Sequence, residues 1–588
     1  MCNSLSLKTS RLFHIIRIFL FHWILFLPFH LYSQYKSVDE FRKAIDYLET
    51  RNEVYLEIPF TDAKELSFMG SIASIDRFEG NKVYVYSNMV GFQQLINEEI
   101  TYRVLVPPSM QQTIQMFKGR LKEYQWDAYP AFNDYVEMMH NFASDYPDIC
   151  RLDTIGMSVN LREILVLKIS DHVHDDEPEP DFFYSSTMHG DEPAGYVLML
   201  RLIDHMLNQY GSDPQITSLV DNLQIWINPL ANPDGTYNKG NHTIEDATRF
   251  NDLGIDLNRN FPDPQWGENP DGNPYQPETL SMMDFIQAVQ PVLSANLHGG
   301  IEVVNYPWDT WPDLHPDDVW FQFLGRQYAD MAHTIEADYM TAFNNGITNG
   351  YAYYSISGGR QDYVTYFSNG REVTLELSNA KIPPADTLPY LWEYNYRSLL
   401  NYMEQSMFGI HGIITDKNTG NPVRAKIEIP GYDSKNSFVY SDGNHGTYYR
   451  LLKEGVYDLK ITADGYYDAL QNNVEVLDFQ EVVLDIELVA LGSDIQHYAI
   501  IPESIEIFPN PFHNDIYLNF ITKSPGEKVE YHILDISGRE VVPQIQHQTV
   551  EGENCLKINA IGIKPGIYIL QLRCKDSVFE KKIIKISL

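Results

Sequence analysis

Between residues 126 and 406, short apolar runs alternate with longer stretches of helical periodicity. Segments 181–187, 223–228, 291–297 and 371–377 read as strands, and 193–209 reads as a helix. Strands separated by helices can lie side by side in parallel, because the helix supplies the long crossover that parallel pairing needs. The expected fold class is therefore α/β: a mixed, mainly parallel sheet with helices on both faces. Such sheets place ligands beyond the strand ends, in the connecting loops. The residues with chemical potential in this chain fall at those ends.

The flanks read differently. Residues 34–107 mix a short helical pattern (38–48) with alternating strand-like pieces such as 81–86, and form an N-terminal domain of unknown role. The α/β region runs over 108–407. Residues 408–492 are short strands separated by turn signals such as Asn418-Thr419-Gly420, which suits a small β-sandwich. Residues 500–588 repeat the pattern as a second small β-sandwich. At the other end, residues 1–33 carry Lys8, Arg11 and Arg17 and no acid, then an apolar run at 15–32 and polar sequence from Ser33. That order reads as a secretory signal. The rival is an uncleaved anchor. No second span follows, so no stable transmembrane span is expected in the mature protein.

Charge narrows the partners. With 43 basic and 80 acidic side chains the net charge is −37. A chain of that sign repels phosphate backbones, so nucleic acid is not an expected partner. Of the four cysteines, Cys2 falls in the signal, Cys150 has no obvious partner, and Cys555 and Cys574 lie close enough in sequence to pair. There is no cysteine spacing for a metal.

The decisive segment is Met188-His189-Gly190-Asp191-Glu192-Pro193, between a strand and a helix. His189 and Glu192 are three apart in a turn, so both can face one point. His298 ends another strand, in Asn296-Leu297-His298-Gly299-Gly300. Two imidazoles and a carboxylate suit Zn2+, one per domain, and three protein ligands leave a coordination position open, the mark of a catalytic site. Each histidine alone reads as an ordinary polar residue at a strand end; the constellation in order is what carries weight.

These motifs resemble the zinc metallocarboxypeptidases, the M14 peptidases, and within them the regulatory carboxypeptidase N/E/D branch. The matching pieces are His189–Glu192, Asn232-Pro233-Asp234-Gly235, residues 256–263 (DLNRNFPD), residues 296–309 (NLHGGIEVVNYPWD), residues 358–362 (GGRQD) and residues 374–378 (TLELS). The resemblance implies His189, Glu192 and His298 as metal ligands and Glu376 as the general base and acid for a water activated beside the ion. Glu372, four residues earlier on the same strand face, is a physical competitor for that role. Asp256 matches the carboxylate that orients the first histidine. Asn258 and Arg259 match the pair that holds the substrate's terminal carboxylate. Tyr354 matches a mobile tyrosine that closes on substrate, and Arg249 a residue that stabilises the developing oxyanion. Asp309 and Gln361 match a pocket for Lys or Arg side chains.

The expected function is therefore a secreted metallocarboxypeptidase that releases Lys or Arg from peptide or protein C-termini. The alternatives are a zinc amidase or peptidase on peptidoglycan-type peptides, for which Asp309 has no use, and an inactive peptide-binding module. Three departures bear on the pocket: Arg360 stands where the branch has Met and is in a position to compete for Asp309, Asn379-Ala380 replaces a Cys pair, and Asp191 replaces Asn. Residues 408–492 resemble the transthyretin-like β-sandwich of that branch. Residues 500–588, with Phe508-Pro509-Asn510-Pro511-Phe512 and the closing 581–585 (KKIIK), resemble the C-terminal sorting domain of the bacterial type IX secretion system. That resemblance implies the secretion machinery as a partner and a product that is released or attached to the bacterial cell surface.

Overall fold

The computed structural model describes residues 38–120, 124–267, 270–491, 500–522, 526–574 and 577–586. The expected signal at 1–33 lies outside these. Among the described residues no helix is long and apolar enough to cross a membrane. The chain divides into two compact units, one formed chiefly by residues up to 105 and one by those after it.

In the first unit, β1 (Val54–Pro59), β2 (Ser74–Glu79), β3 (Lys82–Ser87) and β4 (Arg103–Leu105) form a sheet in the order β2-β3-β1-β4. The helix Val38–Arg51 buries Ala44 and Leu48, four residues apart on one face. Asn88 accepts from the Gly91 amide at 2.9 Å and so caps the helix Met89–Asn97.

The second unit opens with the sheet expected from the α/β pattern. Its strands are β5 (Cys150–Met157), β6 (Glu163–Ile169), β7 (Asp181–Ser186), β8 (Gln224–Asn228), β9 (Leu293–His298), β10 (Glu302–Tyr306), β11 (Ile347–Asn349) and β12 (Arg371–Leu377). Their order is β11-β10-β12-β9-β7-β8-β6-β5. The central pairings β12–β9, β9–β7 and β7–β8 are parallel, and antiparallel strands flank them. Both faces are covered. Phe182 and Tyr184 point into one core with the helices Ala194–Gln209 and Leu388–Glu404, while Phe183, between them, joins Met282, Phe285 and Tyr363 of the helices Pro277–Val289 and Arg360–Phe367 on the other. Burial on both sides is why the polar groups that these strands carry, such as Ser294 and Glu372, find partners inside the core rather than in water.

One buried charge pair lies under this sheet. Arg360 and Glu372 are both fully buried, with Nη2 2.8 Å and Nε 3.0 Å from the carboxylate, and Ser294 donates to the same carboxylate at 2.7 Å. Arg360 is therefore spent on Glu372 and does not compete for Asp309, contrary to expectation. Taking one partner out strands the other charge in the core. We expect Arg360→Met to cost about 3–5 kcal/mol of stability, and the double variant Arg360→Met/Glu372→Gln to regain most of it; denaturant midpoints measure both.

After the sheet come two β-rich modules. In the first, the strand Gly409–Asp416 pairs with Thr447–Arg450, Glu481–Val483 and Ile486–Leu488, and a second sheet packs on it through Ile427, Leu459 and Ile461. In the second, a three-stranded and a four-stranded sheet enclose Leu518, Ile533 and Leu570. Here Cys555 and Cys574 form no disulfide with each other: Cys555 is exposed and Cys574 is buried. Their strands, Gly552–Asn559 and Gly566–Cys574, belong to different sheets, and the two-residue alternation turns Cys555 outward.

Candidate active site

The carboxyl ends of three neighbouring parallel strands meet at one point. β7 runs into the turn that carries His189 and Glu192, β9 ends at His298, and β12 brings Glu376 into register with His298. Gly190 is required in that turn, since a Cβ there would lie 2.2 Å from the Gly235 backbone. The turn is braced by Asn232, whose side chain donates to the Met188 carbonyl at 3.2 Å and accepts from the Gly235 amide at 2.9 Å.

His189 Nδ1 lies 3.0 Å from Glu192 Oε1 and 3.0 Å from His298 Nδ1, which in turn is 2.9 Å from Glu192 Oε2. All three residues are buried. His189 Nε2 faces the Asp256 carboxylate at 3.1 Å, an acceptor, so the proton sits on Nε2 and the Nδ1 lone pair points into the cluster. His298 Nε2 lies 2.7 Å from Asn296 Nδ2, while Asn296 Oδ1 is buried without a hydrogen-bond partner among the described residues; turning that amide over would let Oδ1 accept from Nε2–H and leave the His298 Nδ1 lone pair facing the cluster. Burial pulls His298 down to about 4, so it is neutral at neutral pH. Burial would raise Glu192, but Lys381 and His189 outweigh it and hold the carboxyl well below its usual range. Electron-pair donors aimed at one another from two imidazoles and a carboxylate repel unless a cation sits among them, and this donor set fits zinc.

The surrounding charges brace the ligands. Arg249, buried, donates to Asp256 at 3.1 Å and to Glu192 at 3.2 Å. Burial would raise Asp256, but Arg249 and the hydrogen-bonded His189 outweigh it and hold the carboxyl well below its usual range. Glu376 has a buried Oε2 without a hydrogen-bond partner among the described residues. Burial, and after it the Glu192 carboxylate, push its pKa up to about 8. Glu372, its rival in the sequence, is tied to Arg360 and Ser294 at the start of the strand, four residues from Glu376.

Around the site, Asn258 Oδ1 accepts from the Arg360 amide at 2.9 Å, and Arg259 donates to the Asn258 carbonyl at 2.8 Å. The charge of Arg259 acts on Asp309 and on the half-buried Tyr354, which also faces Arg249 and Glu376. Asp309, 2% exposed, accepts from Gln361 at 3.1 Å and Asn305 at 3.3 Å. Gly350 makes room for it, since a Cβ there would fall 1.6 Å from Asp309 Oδ1. Burial raises Asp309 to about 7.

Two members of the site were not expected. Lys381, on the loop after β12, places Nζ 2.6 Å from Glu192 Oε1 and 3.0 Å from the Gly299 carbonyl. Asp362, beside Gln361, accepts from the backbone amides of Asp309 at 3.1 Å and Thr310 at 2.8 Å and so holds the pocket carboxylate's backbone. The adjacency of Asp362 to Gln361 was the available signal; nothing in the spacing of Lys381 pointed to Glu192.

Comparison with known proteins accords with this geometry. Residues 135–398 match the family model described as zinc carboxypeptidase. The catalytic chain of human carboxypeptidase N is 36% identical over 378 residues, which are 57% of this chain and 80% of that one. The chain belongs to the M14 zinc carboxypeptidase family. Mouse carboxypeptidase M is 36% identical over 344 residues, covering 56% of this chain and 76% of the relative. Duck (Anas platyrhynchos) carboxypeptidase D is 40% identical over 363 residues, 59% of this chain, but this M14 chain spans only 25% of that protein's length. Residues 506–586 match the model described as a secretion system C-terminal sorting domain.

Proposed function

We propose that this M14 chain is a zinc-dependent metallocarboxypeptidase that hydrolyses the last peptide bond of peptides or proteins and releases a C-terminal Lys or Arg. The observation that carries the reading is the convergence of His189, Glu192 and His298 beside Glu376, whose buried Oε2 has no hydrogen-bond partner among the described residues, with Asp309 buried as well. His189, Glu192 and His298 would hold the zinc. When bound, zinc would supply Lewis acidity at the scissile carbonyl and make water a better nucleophile. Glu376 takes the proton from the attacking water and passes it to the leaving amine. Arg249 offers positive charge where the carbonyl oxygen becomes negative. Asn258 and Arg259 hold the terminal carboxylate, the guanidinium through paired N–H groups. Tyr354 closes over them once substrate is bound. Asp309, with Gln361 and Asn305 as neutral partners, receives the basic side chain.

The sorting-domain match supports export by the bacterial type IX route and a product that is released or surface-attached.

The test is end-group analysis by mass spectrometry on a peptide library, with and without chelator. Peptides ending in Lys or Arg should lose one residue, and peptides ending in D-amino acids should survive. Cleavage of the D-terminated peptides instead would overturn the substrate reading. Removing metal should abolish turnover, and zinc analysis should find one ion per chain, restored together with activity on adding zinc back. His298→Ala should bind none under the same conditions.

A further inference from the structure

The basic-side-chain pocket is walled by two segments. One is the loop 308–317, which begins with Trp308-Asp309 and ends at Asp317. The other is the helix Arg360–Phe367, which carries Gln361 and Asp362. Both are gripped from outside by the first β-rich module, through its loop 431–438 and the strand Thr447–Arg450.

The grip on the loop has two points. At its end, Arg450 meets Asp317 with two parallel bonds of 2.8 and 2.9 Å, and Arg450 also reaches Asp433 at 2.7 Å; all three side chains are buried. In its middle, Lys435 pairs with Asp313 at 2.9 Å and lies 4.3 Å above the Trp311 ring. Trp311 in turn packs edge-on against Trp308, the neighbour of Asp309, at 5.1 Å. The helix is held at its far end, where Asn436 donates to the Tyr366 carbonyl at 3.3 Å and accepts from Asn369 at 2.8 Å. Asp309 is thus linked to the neighbouring module through Trp308 and Trp311, and Asp362 through one turn of its helix to Tyr366.

A buried carboxylate must be held within a fraction of an ångström to pair with a guanidinium, because a misplaced charge keeps its desolvation cost and loses its partner. We propose that the loop 431–438 is a positioning element for substrate specificity: through Lys435 and Asn436 it fixes both walls of the Asp309 pocket. This rests on the reading that Asp309 receives a Lys or Arg side chain. The module then acts on which terminus is bound, and not on the bond-breaking step, whose groups sit on β7, β9 and β12.

The experiment uses the full chain with zinc. The variants are Lys435→Met, which keeps the length and removes the charge, Asn436→Gly, which tolerates the left-handed backbone there (φ 62°), and Lys435→Arg as the conservative rescue. Loss of the cation–π contact and its ion pair should raise KM for an Arg-terminated peptide by about tenfold. With it, kcat should stay within about twofold, and KM for a Leu-terminated peptide should be unchanged. Hydrogen exchange of the 308–317 backbone should speed up in the double variant Lys435→Met/Asn436→Gly, and Lys435→Arg should restore KM. An unchanged KM, equal losses on both peptides, or unaltered exchange at 308–317 would each overturn the proposal. A wild-type enzyme indifferent to Arg ends overturns the specificity reading and this proposal together, and shows itself before any variant is made.

Discussion

Glu376→Gln lowers kcat by about 10³- to 10⁴-fold, as loss of a positioned proton carrier should, while the chain still binds one zinc. The glutamine is close in shape and leaves the contacts of His189, Glu192 and His298 intact. It removes only the ability to take and return a proton. Steady-state kinetics beside zinc analysis of the same preparation checks both halves. Turnover within tenfold of wild type would mean another group carries the proton. Glu372 is not available for that, since its carboxylate is occupied by Arg360 and Ser294. Loss of metal along with activity would mean Glu376 is needed to assemble the site.

The second large effect is on specificity. Asp309→Asn should lower kcat/KM for an Arg-terminated peptide by about 10²- to 10³-fold, as expected when one partner of a buried charge pair is lost. For a Leu-terminated peptide it should change little. pH gives an independent reading. Burial raises Asp309 to about 7, with the Asn305 amide and Arg259 pulling the other way. The carboxylate is therefore charged above that value and neutral below it. A cationic side chain pairs only with the charged form, so kcat/KM for Arg ends should rise with pH through about 7. The limb should be missing for Leu ends and missing in Asp309→Asn. Equal pH profiles for the two peptides would assign the limb to another group.

The sheet was legible because its central strands are buried on both faces and its helices are long, so the two periodicities do not blur. The strand expected at 181–187 is found at Asp181–Ser186, and the helix expected at 193–209 at Ala194–Gln209. The ligand cluster was legible because His189 and Glu192 share one turn and His298 ends a strand. What was not legible depended on depth and direction. Whether Arg360 faces Asp309 or Glu372 is decided by which carboxylate lies under the helix, and no spacing encodes that. Lys381 meets Glu192 across 189 positions through a loop whose path follows from packing. Cys555 and Cys574 are near in sequence, but sheet membership and strand parity separate them.

In the ladder between β9 and β12, Glu376 stands opposite His298 and Glu372 opposite Ser294. Sliding one strand by two positions would keep every apolar side chain on its own face, so hydrophobic packing alone penalises that error weakly. It would, however, set Thr374 or Ser378 across from the metal-facing imidazole and separate Glu372 from the serine that bonds it. The buried Arg360–Glu372–Ser294 knot therefore works as an alignment key: the same bonds that discourage a mis-threaded sheet also guarantee that a correctly threaded one is born with its proton carrier in place.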